Sequence, residues 1–310
     1  ISSNSIVFAD NQLLLYKIEA RQLYSLDLST LQVKTVISEA SPKVRYITAN
    51  NLYVMLVEDN KVTRYHLNGI YIDDILTTGE ATDSAVSDIG GVSLYNNLMY
   101  VSNPSYSAVK VFTITSTGKE FKSMYGSRGT GKKRLNSPAD VCYRNNTLFI
   151  ADTMNDRVMV YPINSDNQFT SEPAVIGSSG SDEGRFIRPD KVMADYTNGL
   201  YVSDSTGRLQ YFMRNEYVST YNFNEITSLA VSGKDTVYAA DSADNKIYHK
   251  AKKDAQFKEF VSLNKTPLCI AISKSGNILY VMDADGSNEI HLADTVDGEG
   301  LLWSPDGTFL

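Results

Sequence analysis

The chain has 310 residues and a formal net charge of −7, a balance that favours solubility and argues against a general affinity for nucleic acid or anionic membrane. Hydrophobic residues at 42% and charged residues at 21% exclude a disordered chain, and no stretch approaches the ~18 uninterrupted apolar residues a membrane helix needs. The length fits either two ordinary domains or one large all-β domain.

Seven short polar turns built on Asn, Asp or Gly punctuate the chain: Asp10-Asn11, Asn50-Asn51, Asn96-Asn97, Asn145-Asn146, Asn198-Gly199, Lys234-Asp235 and Gly276-Asn277. An apolar strand bearing Tyr or Phe follows each, in order Leu14-Leu15-Tyr16, Leu52-Tyr53-Val54, Met99-Tyr100-Val101, Leu148-Phe149-Ile150, Leu200-Tyr201-Val202, Val237-Tyr238-Ala239 and Leu279-Tyr280-Val281. A second alternating strand follows that one, for example Val109-Lys110-Val111-Phe112, Leu209-Gln210-Tyr211-Phe212 and Ile247-Tyr248-His249. Self-similarity at a period of roughly 35 to 55 residues is the mark of solenoids, propellers and arrays. No helical period of comparable strength competes with it.

Residues 138–177 form the clearest unit. The two-residue side-chain period of an extended chain predicts strands over 140–143, 148–151, 157–161 and 172–176, with a tight turn at Asn145-Asn146 and a polar loop over 152–156. One such meander exposes two apolar faces it cannot bury alone. Packing it between copies of itself, in a closed row, leaves only short protected edges. The expectation is an all-β propeller of four-stranded antiparallel blades, seven favoured and six allowed, in a single domain over residues 1–310. The first unit is the least regular, and the tail from Gly300 to Leu310 fits no repeat.

Two adjacent segments resemble the NHL repeat. Tyr125-Gly-Ser-Arg-Gly-Thr-Gly-Lys-Lys-Arg-Leu-Asn-Ser-Pro138 leads into Leu148-Phe-Ile-Ala-Asp152-Thr-Met-Asn155-Asp-Arg157-Val158-Met-Val-Tyr161. Ile176-Gly-Ser-Ser-Gly-Ser-Asp-Glu-Gly-Arg-Phe-Ile-Arg-Pro189 leads into Leu200-Tyr-Val-Ser-Asp204-Ser-Thr-Gly-Arg208-Leu209-Gln-Tyr-Phe212. The sixth unit keeps Asp241 and Asn245 with Lys246 in place of Arg; the third has Asn103-Pro104, and the first two lack the Asp. The resemblance implies a ring-shaped module that binds proteins, nucleic acids or small ligands on one face. Some relatives are enzymes, among them lactonases and streptogramin-type lyases, whose activity depends on His, Glu, Asp or Asn converging on a metal at the channel mouth. Here His66, His249 and His291 all fall in third strands, away from the channel in this layout, so no metal or other cofactor is expected.

Several motifs have a chemical and a structural reading. Gly126-Ser-Arg-Gly-Thr-Gly131-Lys132 approaches a phosphate loop, but Lys133 stands where the magnesium-binding hydroxyl belongs and no helix follows; an inter-blade Gly loop accounts for it. Asp152, Asp204, Asp241 and Asp283 end their second strands. Their repetition favours loop-capping carboxylates over one site. The segment from Asp283 to Glu289 only faintly resembles a calcium loop.

The cluster that opposes the acidic whole comprises Arg128, Lys132, Lys133 and Arg134 in one blade-to-blade loop and Arg185 and Arg188 in the next, with Arg157 and Arg208 expected nearby. It is either a solvated face partly neutralised by Asp156, Asp182, Glu183 and Asp190, or a surface for an acidic partner. Asp140 and Lys191 begin neighbouring inner strands and read as a ligand site at the channel mouth or as an ion pair between blades. The functional expectation is a non-catalytic module recognising a protein, peptide or glycan, with a propeller enzyme acting on a small molecule as the alternative. Nucleic acid is disfavoured and a monomer is expected.

Cys142 and Cys269 fall at matching places in different repeats and make a poor disulfide or metal pair. The start Ile1-Ser2-Ser3-Asn4 has neither a basic nor an apolar leader region. An acidic, Tyr-, Asn- and Ser-rich chain that starts without Met reads as a mature exported domain, so the expectation is an extracytoplasmic setting, whether secreted, periplasmic or on the cell surface.

Overall fold

A computed structural model describes residues 5–9, 12–17, 20–27, 33–79, 85–164, 166–232, 235–272, 278–283 and 288–292. The turns Asp10-Asn11 and Gly276-Asn277, residue Lys234, most of the calcium-like segment and the tail 300–310 lie outside the described residues, as do the side chains of Cys269, Asp283 and His291.

The described chain is arranged in seven antiparallel sheets, six of four strands and one of three, each paired in chain order. The first holds β1 (Ser5–Ala9), β2 (Gln12–Lys17), β3 (Gln22–Asp27) and β4 (Val33–Ile37), and the second β5 (Tyr46–Ala49), β6 (Tyr53–Val57), β7 (Lys61–His66) and β8 (Tyr71–Thr77). The third holds β9 (Val92–Tyr95), β10 (Leu98–Asn103), β11 (Ala108–Thr115) and β12 (Gly118–Tyr125), and the fourth β13 (Asp140–Arg144), β14 (Thr147–Asp152), β15 (Arg157–Pro162) and β16 (Ala174–Ile176). The fifth holds β17 (Pro189–Ala194), β18 (Gly199–Asp204), β19 (Arg208–Met213) and β20 (Glu216–Asn222), and the sixth β21 (Ile226–Val231), β22 (Val237–Asp241), β23 (Lys246–Lys250) and β24 (Lys258–Ser262). The seventh holds β25 (Pro267–Ile272), β26 (Ile278–Asp283) and β27 (Asn288–Leu292). Among the described residues the only helical element is the 3-10 turn Thr153–Asn155, and no helix is long and apolar enough to cross a membrane.

The predicted unit over 138–177 is the fourth sheet, its outer strand shortened to Ala174–Ile176. Its hairpin turn explains the Asn pair. Asn145 and Asn146 both take left-handed backbone (φ 49° and 58°) where Arg144 faces Thr147, which a two-residue turn joining right-twisted strands requires and Asn tolerates. Asn198 and Asp235 each supply a single left-handed residue to their own turns, at φ 69° and 59°. Arg214 and Asn215, at φ 52° and 69°, close a further two-residue turn between β19 and β20 that the sequence pattern does not flag.

Contacts divide the chain into two compact units. The first comprises Ile1–Leu56, Tyr65–Ile72 and Phe223–Leu310, and the second Val57–Arg64 and Asp73–Asn222. Within the first, β1 packs beside both β5 and β25, and β21 beside β25, so sheets from the two ends of the chain are neighbours. Within the second, β13 packs between β9 and β17.

Alternation along β14 shows why the second strands read as nearly continuous apolar runs. Leu148 and Ile150 join Tyr100, Val111, Tyr125 and Tyr161 in the core between the third and fourth sheets. Phe149 and Ala151 point the other way, into a core with Phe186 of the following loop and Val192, Val202 and Phe212 of the fifth sheet. Both faces of the sheet are therefore buried. Cys142 is a free thiol packed against the second of these cores.

Candidate functional site

In the second unit, the blade-to-blade loops and the loops after second strands gather at one end of the strands. Each blade-to-blade loop is shaped by a glycine and a large apolar residue. Gly126 (φ +85°) lies over Leu135, and Gly177 (φ +79°) over Phe186. A Cβ at either glycine would fall 2.5 Å from the Leu135 side chain or 2.4 Å from the Phe186 ring. Leu135 and Phe186 are fully buried, and the bridges Arg128 to Leu135 and Ser179 to Phe186 complete the same fold in both loops.

A carboxylate and a guanidinium then clamp each loop. Asp152 Oδ1 accepts the Asn136 N–H at 2.6 Å, and its Oδ2 accepts Asn155 Nδ2 at 2.8 Å and Arg157 Nε at 2.7 Å. The remaining donors of Arg157 reach the carbonyls of Thr130, Gly131 and Arg134, each at 2.9 Å, and Asn155 also donates to the Gly129 carbonyl at 2.9 Å. Burial pushes the Asp152 carboxyl up, against the lowering effect of the Asn155, Asn136 and Arg157 hydrogen bonds.

The fifth sheet repeats the clamp. Asp204 Oδ2 accepts Arg208 Nη2 at 2.6 Å and the Ile187 N–H at 3.2 Å, while Arg208 also donates to the carbonyls of Gly180, Ser181 and Arg185. Burial opposes ionisation of Asp204, but hydrogen bonds from Thr206 and Arg208 outweigh it and hold the carboxyl below its usual range. In the sixth sheet Asp241 takes the amides of Asn224, Glu225 and Ala243, while Lys246 pairs with Glu259 instead. These aspartates are thus committed to backbone within their own units.

Arg157 and Arg208, grouped by sequence with the basic cluster, are 12% and 14% exposed at the side chain and their charge is spent inward. The outer cations differ. Lys133 pairs with Glu172 at 2.7 Å, Arg185 with Asp182 at 3.8 Å, and Arg134 donates to Ser127 Oγ at 2.8 Å. Arg128, Lys132 and Arg188 are exposed, and among the described residues their side chains have no hydrogen bond or ion pair.

Neighbouring loops join this surface into one. Met154 donates its N–H to the Asn136 carbonyl at 3.1 Å, Arg188 its N–H to Asp156 Oδ1 at 2.7 Å, and Ser137 its N–H to Ser107 Oγ at 3.3 Å. They bring in three exposed apolar residues, Tyr106, Met154 (50% exposed) and Ile187, which sequence reasoning missed. Only their place in top loops, out of register with the strand pattern, signals them.

Asp140 and Lys191 are adjacent but not paired by contact. Asp140 Oδ2 accepts the Val192 N–H of the next sheet at 3.1 Å, and Lys191 is exposed. Burial raises the Asp140 carboxyl, with the Lys191 charge partly offsetting it. A bulge between Pro189 and Lys191 turns Asp190 aside to accept Ser203 Oγ at 2.6 Å. The geometry makes Asp140 a tether between inner strands.

Among the described residues no group of three or more His, Cys, Asp or Glu is placed to hold a metal. His66 lies against the Tyr53 ring and His249 against the rings of Tyr238 and Phe260, and burial lowers the His249 imidazole below its usual range.

Comparison with protein-family models and with curated protein sequences finds no match. Solved structures do match in shape. One from the mitotic checkpoint complex has a TM-score of 0.67 at 12% identity, covering 95% of this chain and 91% of that one. A streptogramin B lyase has a TM-score of 0.65 at 13% identity, with 90% and 89% covered. A virginiamycin B lyase from Staphylococcus aureus has a TM-score of 0.66 at 14% identity, with 93% of each chain covered. At such identities the likeness shows the fold alone. The chain is an all-β propeller, and among the described residues six of its antiparallel blades are four-stranded.

Proposed function

We propose that this propeller is a non-catalytic binding module of the NHL kind, recognising a protein, peptide or glycan partner through the loop end of its third to fifth sheets. One observation carries this reading. Arg128, Lys132 and Arg188 stand exposed without internal partners among the described residues, on loops whose backbone is already held by Asp152–Arg157 and Asp204–Arg208. A surface ordered in advance loses little entropy on binding, and exposed Tyr106, Met154 and Ile187 supply apolar contact beside the charge. On a chain of net charge −7, three such cations select an acidic partner by attraction and by repulsion of others.

The test is charge reversal of Arg128, Lys132 and Arg188 to Glu, with retention of partners from the source organism compared between variant and wild type. Loss of retained partners at unchanged melting temperature supports the site; an unchanged set removes it. Steep weakening of binding with salt, together with retained nucleic acid, would shift the partner class.

A second reading, an enzyme acting on a small molecule at the channel mouth, draws on the likeness to two streptogramin-type lyases. Calcium or zinc retained by the purified protein in elemental analysis favours that reading over the first.

A further inference from the structure

We propose that the opposite, hairpin end of the same three sheets is a binding site for an acidic carbohydrate, a glycan containing uronic acid. It is independent of the loop-end surface, because it lies at the other end of the strands and uses other residues.

Three inner strands end here side by side. Tyr95 closes β9, Tyr143 and Arg144 close β13, and Tyr196 follows β17. Successive side chains of a strand point to opposite faces, so Tyr143 and Arg144 diverge. Tyr143 stacks on Tyr100 with centroids 5.1 Å apart and meets the Tyr95 ring at 4.4 Å. Arg144 lies over the Tyr196 ring at 4.1 Å. Backbone ties fix the row: the Tyr143 N–H donates to Ser93 Oγ at 3.1 Å, and Asn145 Nδ2 to the Tyr196 carbonyl at 3.2 Å and Asn198 Oδ1 at 3.4 Å.

The chemistry of this row points to a sugar acid. Tyr95 and Tyr196 are 44% and 43% exposed, and no exposed large aliphatic residue stands in the three turns, so the apolar contact offered is ring face and not the aliphatic core of a protein interface. Around the rings, the exposed amides of Asn97, Asn146 and Asn198 add uncharged donors and acceptors beyond the bonds that Asn146 Oδ1 accepts from Tyr143 and Asn198 Oδ1 from Asn145, which suits hydroxyl groups. The Arg144 Nε is buried, while the side chain as a whole is half-buried, which leaves the two terminal nitrogens as the reachable donors. A guanidinium laid on a ring offers a planar fork that fits a carboxylate in bidentate fashion. The one acid in these turns, Asp195, is buried and turned inward, accepting the N–H groups of Thr197 and Gly199 at 2.8 and 2.7 Å, so no exposed carboxylate stands in the turns.

Calorimetric titration with tetragalacturonate, tetramannuronate and a hyaluronan tetrasaccharide, each beside its carboxyl-reduced neutral counterpart, tests this. The expected result is binding of at least one uronate, at least tenfold tighter than its neutral counterpart. Arg144→Gln and Tyr196→Ala should each weaken it at least tenfold, while Tyr196→Phe keeps the ring and the affinity. Tyr95→Ala, at an exposed ring, serves as the second variant if Arg144→Gln lowers the melting temperature. The proposal fails if no uronate binds at millimolar concentration, if Tyr196→Ala and Tyr95→Ala leave affinity unchanged, or if tetraglutamate binds as tightly as the best uronate. The Arg128, Lys132 and Arg188 reversal should leave uronate binding intact, which separates this site from the loop-end surface.

Discussion

Arg157 binds Asp152 through Nε at 2.7 Å and, with its other nitrogens, holds the carbonyls of Thr130, Gly131 and Arg134. One side chain thus fixes both the end of β14 and the loop that enters the fourth sheet. Removing a partner from a buried ion pair leaves an uncompensated charge, at a cost of about 3–5 kcal/mol. Arg157→Ala is therefore expected to lower stability by about 3 kcal/mol in chemical denaturation and to speed hydrogen exchange selectively over residues 126–138. Uniform exchange across the unit would contradict the clamp.

The matching pair in the fifth sheet gives a pH signature. The folded Asp204 carboxyl sits below its ordinary value of 3.8, so its stabilising contribution is complete above that value and is lost as pH falls through the folded one. Asp204→Asn should cost most at neutral pH and progressively less below 3.8. Melting curves of wild type and variant across that range measure it; a pH-independent gap would show that the charge is irrelevant.

Asp140 has the opposite sign. Burial raises its carboxyl above 3.8, so the folded state favours the protonated form, and stability is lost as pH rises from that value through the folded one. Asparagine keeps an oxygen for the Val192 N–H and carries no charge to desolvate. Asp140→Asn is expected to melt higher than wild type at neutral pH, with the difference closing below 3.8. A lower melting point at neutral pH would show that attraction to Lys191 outweighs desolvation.

Gly177 is required by space as well as by backbone. Its φ is +79°, and an added Cβ would lie 2.4 Å from the buried Phe186 ring. Gly177→Ala should destabilise by about 2 kcal/mol through strain and overpacking, as read by denaturant midpoint, whereas Gly79→Ala, at a similar φ of +86° with open space around it, bears the backbone strain alone and should cost less. Equal losses would refute the packing role.

Legibility in the sequence followed physical locality. Asn145-Asn146, the β14 alternation and the Asp152, Asn155, Arg157 spacing each encode a contact within a few residues, and the fourth sheet could be read from them almost strand for strand. The direction of Arg157 was not legible, because the carbonyls it holds lie more than twenty residues upstream; composition alone made it a surface cation. For Asp140 a link between blades was among the two readings the residues allowed, but its partner, the Val192 N–H of another sheet, was not legible for the same reason. Asn167, a buried residue at φ 63° that binds Tyr100, Tyr125 and Ser123, lies in a polar run that reads only as loop. The row from Tyr95 to Tyr196 emerges only when three inner strands are set side by side.

The proposed binding surface lies at the loop end of the third to fifth sheets. Its most direct test is affinity purification from the source organism, quantified in parallel for wild type, the Arg128, Lys132 and Arg188 to Glu variant, and Tyr196→Ala at the far end, all at matched melting temperature. The expected result is a set of macromolecules retained by wild type and by Tyr196→Ala and lost with the charge-reversed loops. Retention of the same set by the charge-reversed protein would contradict it.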